Sequence, residues 1–300
     1  NPDAVQVGLT ATPRSFTGGK LEERQEDEQI TANNIEYFGQ PIYEYSLTQG
    51  VEDGYLAACE VIKREVNLDI KGVSQSDIAK LGAKDAVTGQ PVIITETRQH
   101  YEANSYEDII QLPDRIKAMC QDLFTLFLKT GGPLQKTIIF CARDTHADAV
   151  ATEMNNLYAD WFTKIGNPQS EIANRAEPYA FKCTASVGGS QYIADLRGSL
   201  HSHFIATTVD LITTGVDVPC VRNVVFFKYV RSPIAFHQML GRGTRIHYPT
   251  NKLMFRVYDY TNATRLLSKD FIVHSGPSRE KEPGGERKEK IIKVEGFDVH

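Results

Sequence analysis

The sequence predicts an α/β fold, a parallel sheet flanked by helices with an irregular connecting segment ahead of it. Two observations carry this reading. From about residue 116 short apolar runs alternate with helix-length amphipathic stretches, a rhythm that joins strands through helical crossovers and so makes them parallel. The runs are apolar at nearly every position instead of every second one, as a strand covered on both faces requires.

In chain order, Val5 to Leu9 reads as a strand that ends in Thr10-Ala-Thr-Pro13 and the flexible Thr17-Gly-Gly19. A domain seldom starts on a buried strand, so a first domain is expected upstream. Residues 20 to 37, with the acidic run Glu22 to Glu28, read as a loop or exposed helix. Between 38 and 115 the strand candidates Ile42 to Leu47, Ala58 to Val66 and Val92 to Thr95 mix with polar turns, the pattern of a connecting layer. Arg115 to Lys129 is an amphipathic helix stopped by Gly131-Gly-Pro133. Thr137 to Cys141 is a buried strand, and Thr145 to Phe162 a helix. Ala180 to Thr184, Phe204 to Val209, Val224 to Val230 and Phe255 to Tyr260 supply further strands. Pro233 to Leu240 is a helix opened by proline in its first turn. Ser275 to Lys290, dense in Pro, Gly, Glu, Lys and Arg, reads as a solvated linker, and Ile291 to Val299 as one more strand.

Composition narrows the function classes. Hydrophobic residues are 41% and charged residues 24% of the 300, the balance of an ordinary globular protein with a real core. No stretch approaches the roughly 18 to 20 unbroken apolar residues of a membrane span, and the start is no signal peptide, so a cytoplasmic location is expected. Cys59, Cys120, Cys141, Cys183 and Cys220 lie far apart without a C-x-x-C pair, which argues for reduced, buried thiols and against zinc or a disulfide scaffold. The net charge of -5 excludes a generally basic nucleic-acid coat, although a local cationic groove would suffice to grip phosphates.

Two segments carry the chemistry. Gln238-Met-Leu-Gly-Arg-Gly-Thr-Arg245 sets two guanidinium groups directly after a short helix. Such groups are permanently charged and fork onto phosphate oxygens, so they can neutralise charge that develops in phosphoryl transfer. The plainer reading is a basic helix end stabilised by the macrodipole. Thr207-Thr-Val-Asp-Leu-Ile-Thr-Thr-Gly-Val-Asp-Val-Pro219 follows a strand. A strand, a turn and a proline exit would explain Gly215 and Pro219 there without explaining Asp217. Gly8 to Pro13 and Lys136 to Arg143 are supporting runs. No G-x-x-x-x-G-K-[ST] loop and no D-E-x-H quartet occurs anywhere, since Gly18-Gly-Lys20 is followed by Leu21.

These segments resemble motifs of superfamily 2 helicases and translocases. Tyr37 to Leu56, the helix starting at His146-Ala147, and Leu211 to Pro219 further resemble the restriction (R, motor) subunit of type I restriction-modification enzymes, over roughly residues 5 to 265. The resemblance implies that 1–19 ends a first RecA-like domain, 20–115 connects, 116–270 is a second RecA-like helicase domain, 271–290 is a charged linker and 291–300 opens a C-terminal region. It implies arginine-finger roles for Arg242 and Arg245, with Gln238 facing the cleft and Gly241 allowing close backbone approach. Gly215 and Asp217 fall at the nucleotide cleft. Thr208, Thr207 and Arg143 fall on the DNA backbone, with Val209 standing where many relatives have threonine. Thr10 and Thr12 couple hydrolysis to domain movement. ATP and Mg2+ are the implied cofactors, both requiring the missing first domain, so the chain alone is expected to be inactive. Double-stranded DNA, methyltransferase and specificity subunits, and upstream motor and nuclease domains are the implied partners. A stand-alone helicase or repair translocase, and a non-catalytic binding or assembly module, are the alternatives.

Three patterns imitate other sites. Asp53 with Asp69-Ile-Lys71 copies a nuclease spacing that arises often by chance. His201-Ser-His203 lacks a third metal ligand and reads as solvated histidines before a strand. Trp161, Phe124, Phe127 and Phe162 fall at helical core spacing, which favours packing over base stacking.

Overall fold

A computed structural model of the chain describes residues 8–9, 34–66, 68–69, 72–92, 99–165, 177–184, 190–209, 217–267 and 291–292. Its strands are β1 (Ala58–Lys63), β2 (Glu65–Val66), β3 (Val73–Ser74), β4 (Lys84–Asp85), β5 (His100–Tyr101), β6 (Ile110–Gln111), β7 (Thr137–Phe140), β8 (Ala180–Lys182), β9 (Ile205–Thr208), β10 (Asn223–Phe226), β11 (Met254–Asp259) and β12 (Ile291–Ile292). The helices are α1 (Asn34–Phe38), α2 (Leu47–Glu52), α3 (Gln75–Lys80), α4 (Pro113–Lys129), α5 (Asp144–Lys164), α6 (Ile193–Gly198) and α7 (Pro233–Leu240).

Six strands form the main sheet in the order β1-β11-β10-β7-β9-β8, and every pair is parallel. The chain enters the middle at β7, runs out to β8, returns to β9, then passes beneath or above β7 to β10 and β11. Strand order therefore reverses at β7, and a crevice is expected beyond the carboxyl ends of β7 and its neighbours.

Local chemistry explains these elements. All residues of β7, β9 and β10 are buried, because helices cover both faces. The two-residue period of a strand then sorts them. Ile139, Ile205, Val225 and Tyr258 join the core shared with α4 and α5, while Ile138, Phe140, Ala206, Val224, Phe226 and Val257 join the core shared with α6 and α7. On α4, Pro113 occupies the first turn with Asp114 beside it, and Ile116, Met119, Cys120, Leu123, Phe124 and Phe127 form its buried stripe. Gly131 and Gly132 take positive φ directly after the helix, conformations that side chains resist.

The sheet is wider than the alternating rhythm beyond residue 116 reveals. β1 lies parallel to β11 in register from Ala58 with Met254 to Lys63 with Asp259. Arg256 of β11 bonds Glu60 of β1 at 2.7 Å, and Arg64 just past β1 pairs with Asp122 on α4. The segment read as a connecting layer thus supplies an edge of the main sheet.

Two strand expectations are corrected. Residues 42–46 are irregular and Leu47 opens α2, because Ser46 and Gln49 form a capping box at that point. β10 stops at Phe226, and the chain from Lys228 to Ser232 turns out of the sheet to line a cleft. Of the strands expected at Val5 to Leu9 and Val92 to Thr95 only Gly8, Leu9 and Val92 are described, and these are irregular; the rest of both, the linker, the acidic run and most of Ile291 to Val299 lie outside the described residues. Ile291 and Ile292 pair in parallel with β2. All five cysteines are free and buried, as their spacing predicts, and burial pushes the Cys59 thiol up to about 12 and that of Cys183 up to about 11.

Candidate nucleotide cleft and nucleic-acid track

The helix that leads to the arginines is fixed at its start. Ser232 caps α7 by accepting from Ala235 N at 3.3 Å, and Pro233 sits in the first turn. Phe236, Met239 and Leu240 are buried, which leaves Gln238 half-buried on another side. The helix then closes into tight turns, with Gly241 N donating to His237 O at 2.9 Å, Arg242 N to Met239 O at 3.2 Å and Gly243 N to Leu240 O at 2.9 Å. Gly243 is the position that demands glycine, since a Cβ there would overlap the Phe255 ring, whereas one on Gly241 would meet His237 O at 3.1 Å and Gln238 O at 3.6 Å.

The turn brings three expected residues together. Arg245 Nη1 donates to Asp217 Oδ2 at 2.5 Å, in an ion pair whose two side chains are about half exposed. Arg242 lies within electrostatic reach of both. Burial, then the neighbouring Arg245, lower its pKa, and Asp217 opposes that shift. Arg197 at the end of α6 donates to the Asp217 carbonyl. Gly215 lies outside the described residues. Two guanidinium groups beside Asp217, on loops open to solvent, fit the phosphate oxygens of a nucleotide.

Three positions that sequence reasoning missed hold this turn. Lys252 is fully buried, and its Nζ donates to Pro219 O at 2.9 Å, Gly243 O at 2.7 Å and Arg245 O at 2.6 Å. Ala57 N donates to Thr244 O at 2.7 Å, and Leu56 bridges Arg245 in antiparallel fashion. A lone lysine before a strand carries no sequence signal, and the contacts of Leu56 and Ala57 span almost 190 residues. Gly243 was visible within Gly-Arg-Gly but its neighbour Phe255 was not.

The expected nucleic-acid residues lie instead where strands end. Arg143 begins α5 just beyond β7, and its Nε pairs with Asp108 Oδ1 at 2.8 Å, both side chains being about half exposed. Thr207 is a correction. Its side chain is buried, and Oγ1 donates to Ala147 O at 2.8 Å, so the hydroxyl is committed to the core against α5. Thr208, one residue on, faces the other side of the sheet and is also buried, and its Oγ1 has no hydrogen-bond partner among the described residues. A contact from Thr208 to a ligand therefore requires the groups that bury its hydroxyl to move. Thr10 and Thr12 lie outside the described residues. A cleft of about 310 Å³ opens beyond β7 and β10, lined by Ala142, Asp108, Lys228, Tyr229, Arg231 and Ser232 among others.

The imitations resolve on their contacts. Asp53 accepts from Tyr45 Oη at 2.6 Å, while Asp69 receives Arg115 through Nε at 3.0 Å and Nη2 at 2.8 Å. Lys71 lies outside the described residues. His203 is a second correction, being fully buried instead of solvated. It stacks on Tyr192 at 4.6 Å between ring centroids and bonds Ser202 Oγ at 3.0 Å. Among the described residues no group of three or more metal-ligating side chains occurs, and no helix is long and apolar enough to cross a membrane. Phe124 meets Trp161 edge-on at 6.4 Å and Phe127 meets Tyr258 at 5.6 Å, so these aromatics pack.

Fold and motif placement define a RecA-like helicase C-terminal domain, and residues 190–247 match the family of the helicase conserved C-terminal domain. More particularly, the chain resembles superfamily 2 helicases and, among them, the R subunit of type I restriction-modification enzymes. It is 28% identical over 308 residues to the type I restriction enzyme EcoAI endonuclease subunit of Escherichia coli, covering 98% of this chain and 33% of that protein. It is 28% identical over 262 residues to the EcoKI endonuclease subunit of Escherichia coli strain K12, covering 86% of this chain and 20% of that one. A solved fragment of an HsdR subunit of a type I restriction enzyme from Vibrio vulnificus YJ016 superposes with a TM-score of 0.57 at 29% identity, covering 84% of this chain and 41% of that chain. The chain thus spans about a third and a fifth of the two curated relatives' lengths.

Proposed function

We propose that this chain is the second half of an ATP-dependent DNA motor, within the R subunit of a type I restriction enzyme. The observation that carries the reading is the turn after α7, where Arg245 is paired to Asp217 and Arg242 stands beside both. Guanidinium groups fixed in this way can stabilise charge that builds on a nucleotide's phosphates as they react. The similarity to R subunits over nearly the whole chain supports the same assignment. The chain contains no phosphate loop and no D-E-x-H quartet, so ATP and Mg2+ would be held by a partner domain of the same protein, and this chain alone would not hydrolyse ATP.

The roles follow from position. Arg242 and Arg245 act as fingers, with Gln238, Gly241, Gly215 and Asp217 shaping the cleft around them. Arg143, just beyond the carboxyl end of β7, tracks DNA phosphates, and Thr208 joins it if its hydroxyl is uncovered. Closing of the cleft on ATP and its reopening after hydrolysis would move one DNA-gripping surface against another. The protein would act in the cytoplasm on double-stranded DNA, in a complex with methyltransferase and specificity subunits.

The test uses this chain joined to an upstream domain that carries the phosphate loop. DNA-stimulated ATPase is expected, and Arg242→Ala is expected to lower kcat by about 10³-fold or more. An unchanged rate would remove the finger assignment. Capture of methyltransferase and specificity subunits by the joined protein supports the restriction complex, and capture of neither favours a stand-alone translocase.

A further inference from the structure

We propose that Lys252 is a positioning residue for the arginine pair, its ammonium tying the loop that carries Asp217 to the turn that carries Arg242 and Arg245. The proposal rests on the nucleotide-cleft reading above and adds to it a group outside every motif.

An ammonium has three N–H donors and no acceptor. All three of Lys252 are used on main-chain carbonyls, those of Pro219, Gly243 and Arg245, at 2.6 to 2.9 Å. Pro219 lies two residues beyond Asp217, Gly243 directly follows Arg242, and Arg245 is itself a finger candidate. One side chain therefore fixes the backbone on both sides of the Arg245–Asp217 ion pair. The lysine is itself held in place. Its N donates to His247 O and its O accepts from His247 N, each at 3.0 Å, around a tight turn in which Asn251 takes φ +51°.

No carboxylate lies within ion-pair distance of Lys252 among the described residues, so its charge is buried without a counter-ion and satisfied by dipoles alone. An apolar side chain of equal length would be less costly to bury. What such a side chain could not do is draw three carbonyls from two separate loops to one point. A charge-assisted bond to each carbonyl is stronger and more directional than a neutral one, which suits a site where small displacements matter.

The experiment is a double-mutant cycle in the joined protein that carries both motor domains. Lys252→Met keeps length and removes all three donors. DNA-stimulated kcat is expected to fall between about ten- and a hundredfold, with KM for ATP changing far less, because the arginines are displaced and the nucleotide is held elsewhere. In the Arg242→Ala background the same substitution is expected to cost less than about twofold, since the group it positions is gone. An equal loss in both backgrounds, or no loss in either, overturns the proposal. If Lys252→Met does not fold, Lys252→Gln, whose amide keeps two donors, takes its place in the cycle. Failure of both to fold also overturns it, because a positioning role leaves the core intact. Arg242→Ala alone reports on the cleft reading, so its failure is seen in the single variant and that of Lys252 only in the cycle.

Discussion

Asp217 and Arg245 are about half exposed, and an ion pair in such a setting contributes at most about 1 kcal/mol to stability. Its value lies in orientation. Asp217→Asn is therefore expected to change the unfolding free energy of the isolated chain in urea by less than about 1 kcal/mol, while lowering kcat of the joined motor, because Arg245 loses the partner that aims it. A variant that unfolds the chain would mark Asp217 as structural. Gly243 gives the reverse pattern. A methyl group there would overlap the Phe255 ring, which is buried in the core, so Gly243→Ala is expected to cost about 1–3 kcal/mol by chemical denaturation. Lys252 gives a pH signature. Burial first, with Arg222 and Arg245 adding to it, pushes its pKa down from 10.5 to about 7, while Cys220 and Asp217 oppose the shift. The unfolded chain then binds more protons than the folded one between about 7 and 10.5, so this group makes stability rise with pH across that window. Lys136, pushed down to about 8, acts with the same sign, so the comparison must be with Lys252→Met, in which thermal stability is expected to rise less from pH 7 to pH 10 than in the parent. Equal slopes would show that the lysine titrates normally.

At the scale of elements, one polar cluster ties the connecting segment to the sheet. Arg115 on α4 is fully buried and bonds Asp69 bidentately and Glu107 at 3.1 Å, while Tyr229, just past β10, donates to Asp69 at 2.8 Å. Burial raises the Glu107 carboxyl to about 7 against the pull of Arg115. Arg115→Met would leave the buried Glu107 and the half-buried Asp69 without their cation, and is expected to cost about 3–5 kcal/mol in a urea titration. That α4 is a helix was legible, because Ile116, Met119, Cys120 and Leu123 recur at helical spacing. That Arg115 would be its most buried charge was not, since its partners lie 46 and 8 residues away in segments without a period. The same division holds in the site. Gln238 to Arg245 and Asp217 could be singled out by their resemblance to helicase motifs, and the strands β7, β9 and β11 by their apolar runs. The opposite facing of Thr207 and Thr208 depended on the register of β9 between β7 and β8, which sets which hydroxyl meets α5. The burial of His203 depended on Tyr192 and Phe181 arriving from other elements.

For the whole molecule the decisive pairing is that of β1 with β11, between the segment read as a connecting layer and the last strand of the sheet. A chain starting at residue 113 would keep Asp217 and Gln238 to Arg245 and lose this strand. The outer edge of β11 would then show unpaired N–H and C=O groups from Met254 to Asp259, a template for pairing between molecules. Arg256 would lose Glu60, Asp122 would lose Arg64, and Arg115 would lose both Asp69 and Glu107. The loss also reaches the cleft, because Ala57 and Leu56 hold Thr244 and Arg245 directly. The expected outcome is that a chain starting at residue 34 elutes as a monomer with a single cooperative thermal transition. The chain starting at residue 113 is expected to aggregate or melt at lower temperature, as measured by size-exclusion chromatography and far-UV circular dichroism. If the two melt together as monomers, β1 is dispensable and the arginine turn is held from within the second domain alone. If they differ as expected, the segment ahead of residue 116 belongs to the same folding unit as the sheet, and any transplant of the arginine turn must carry it along.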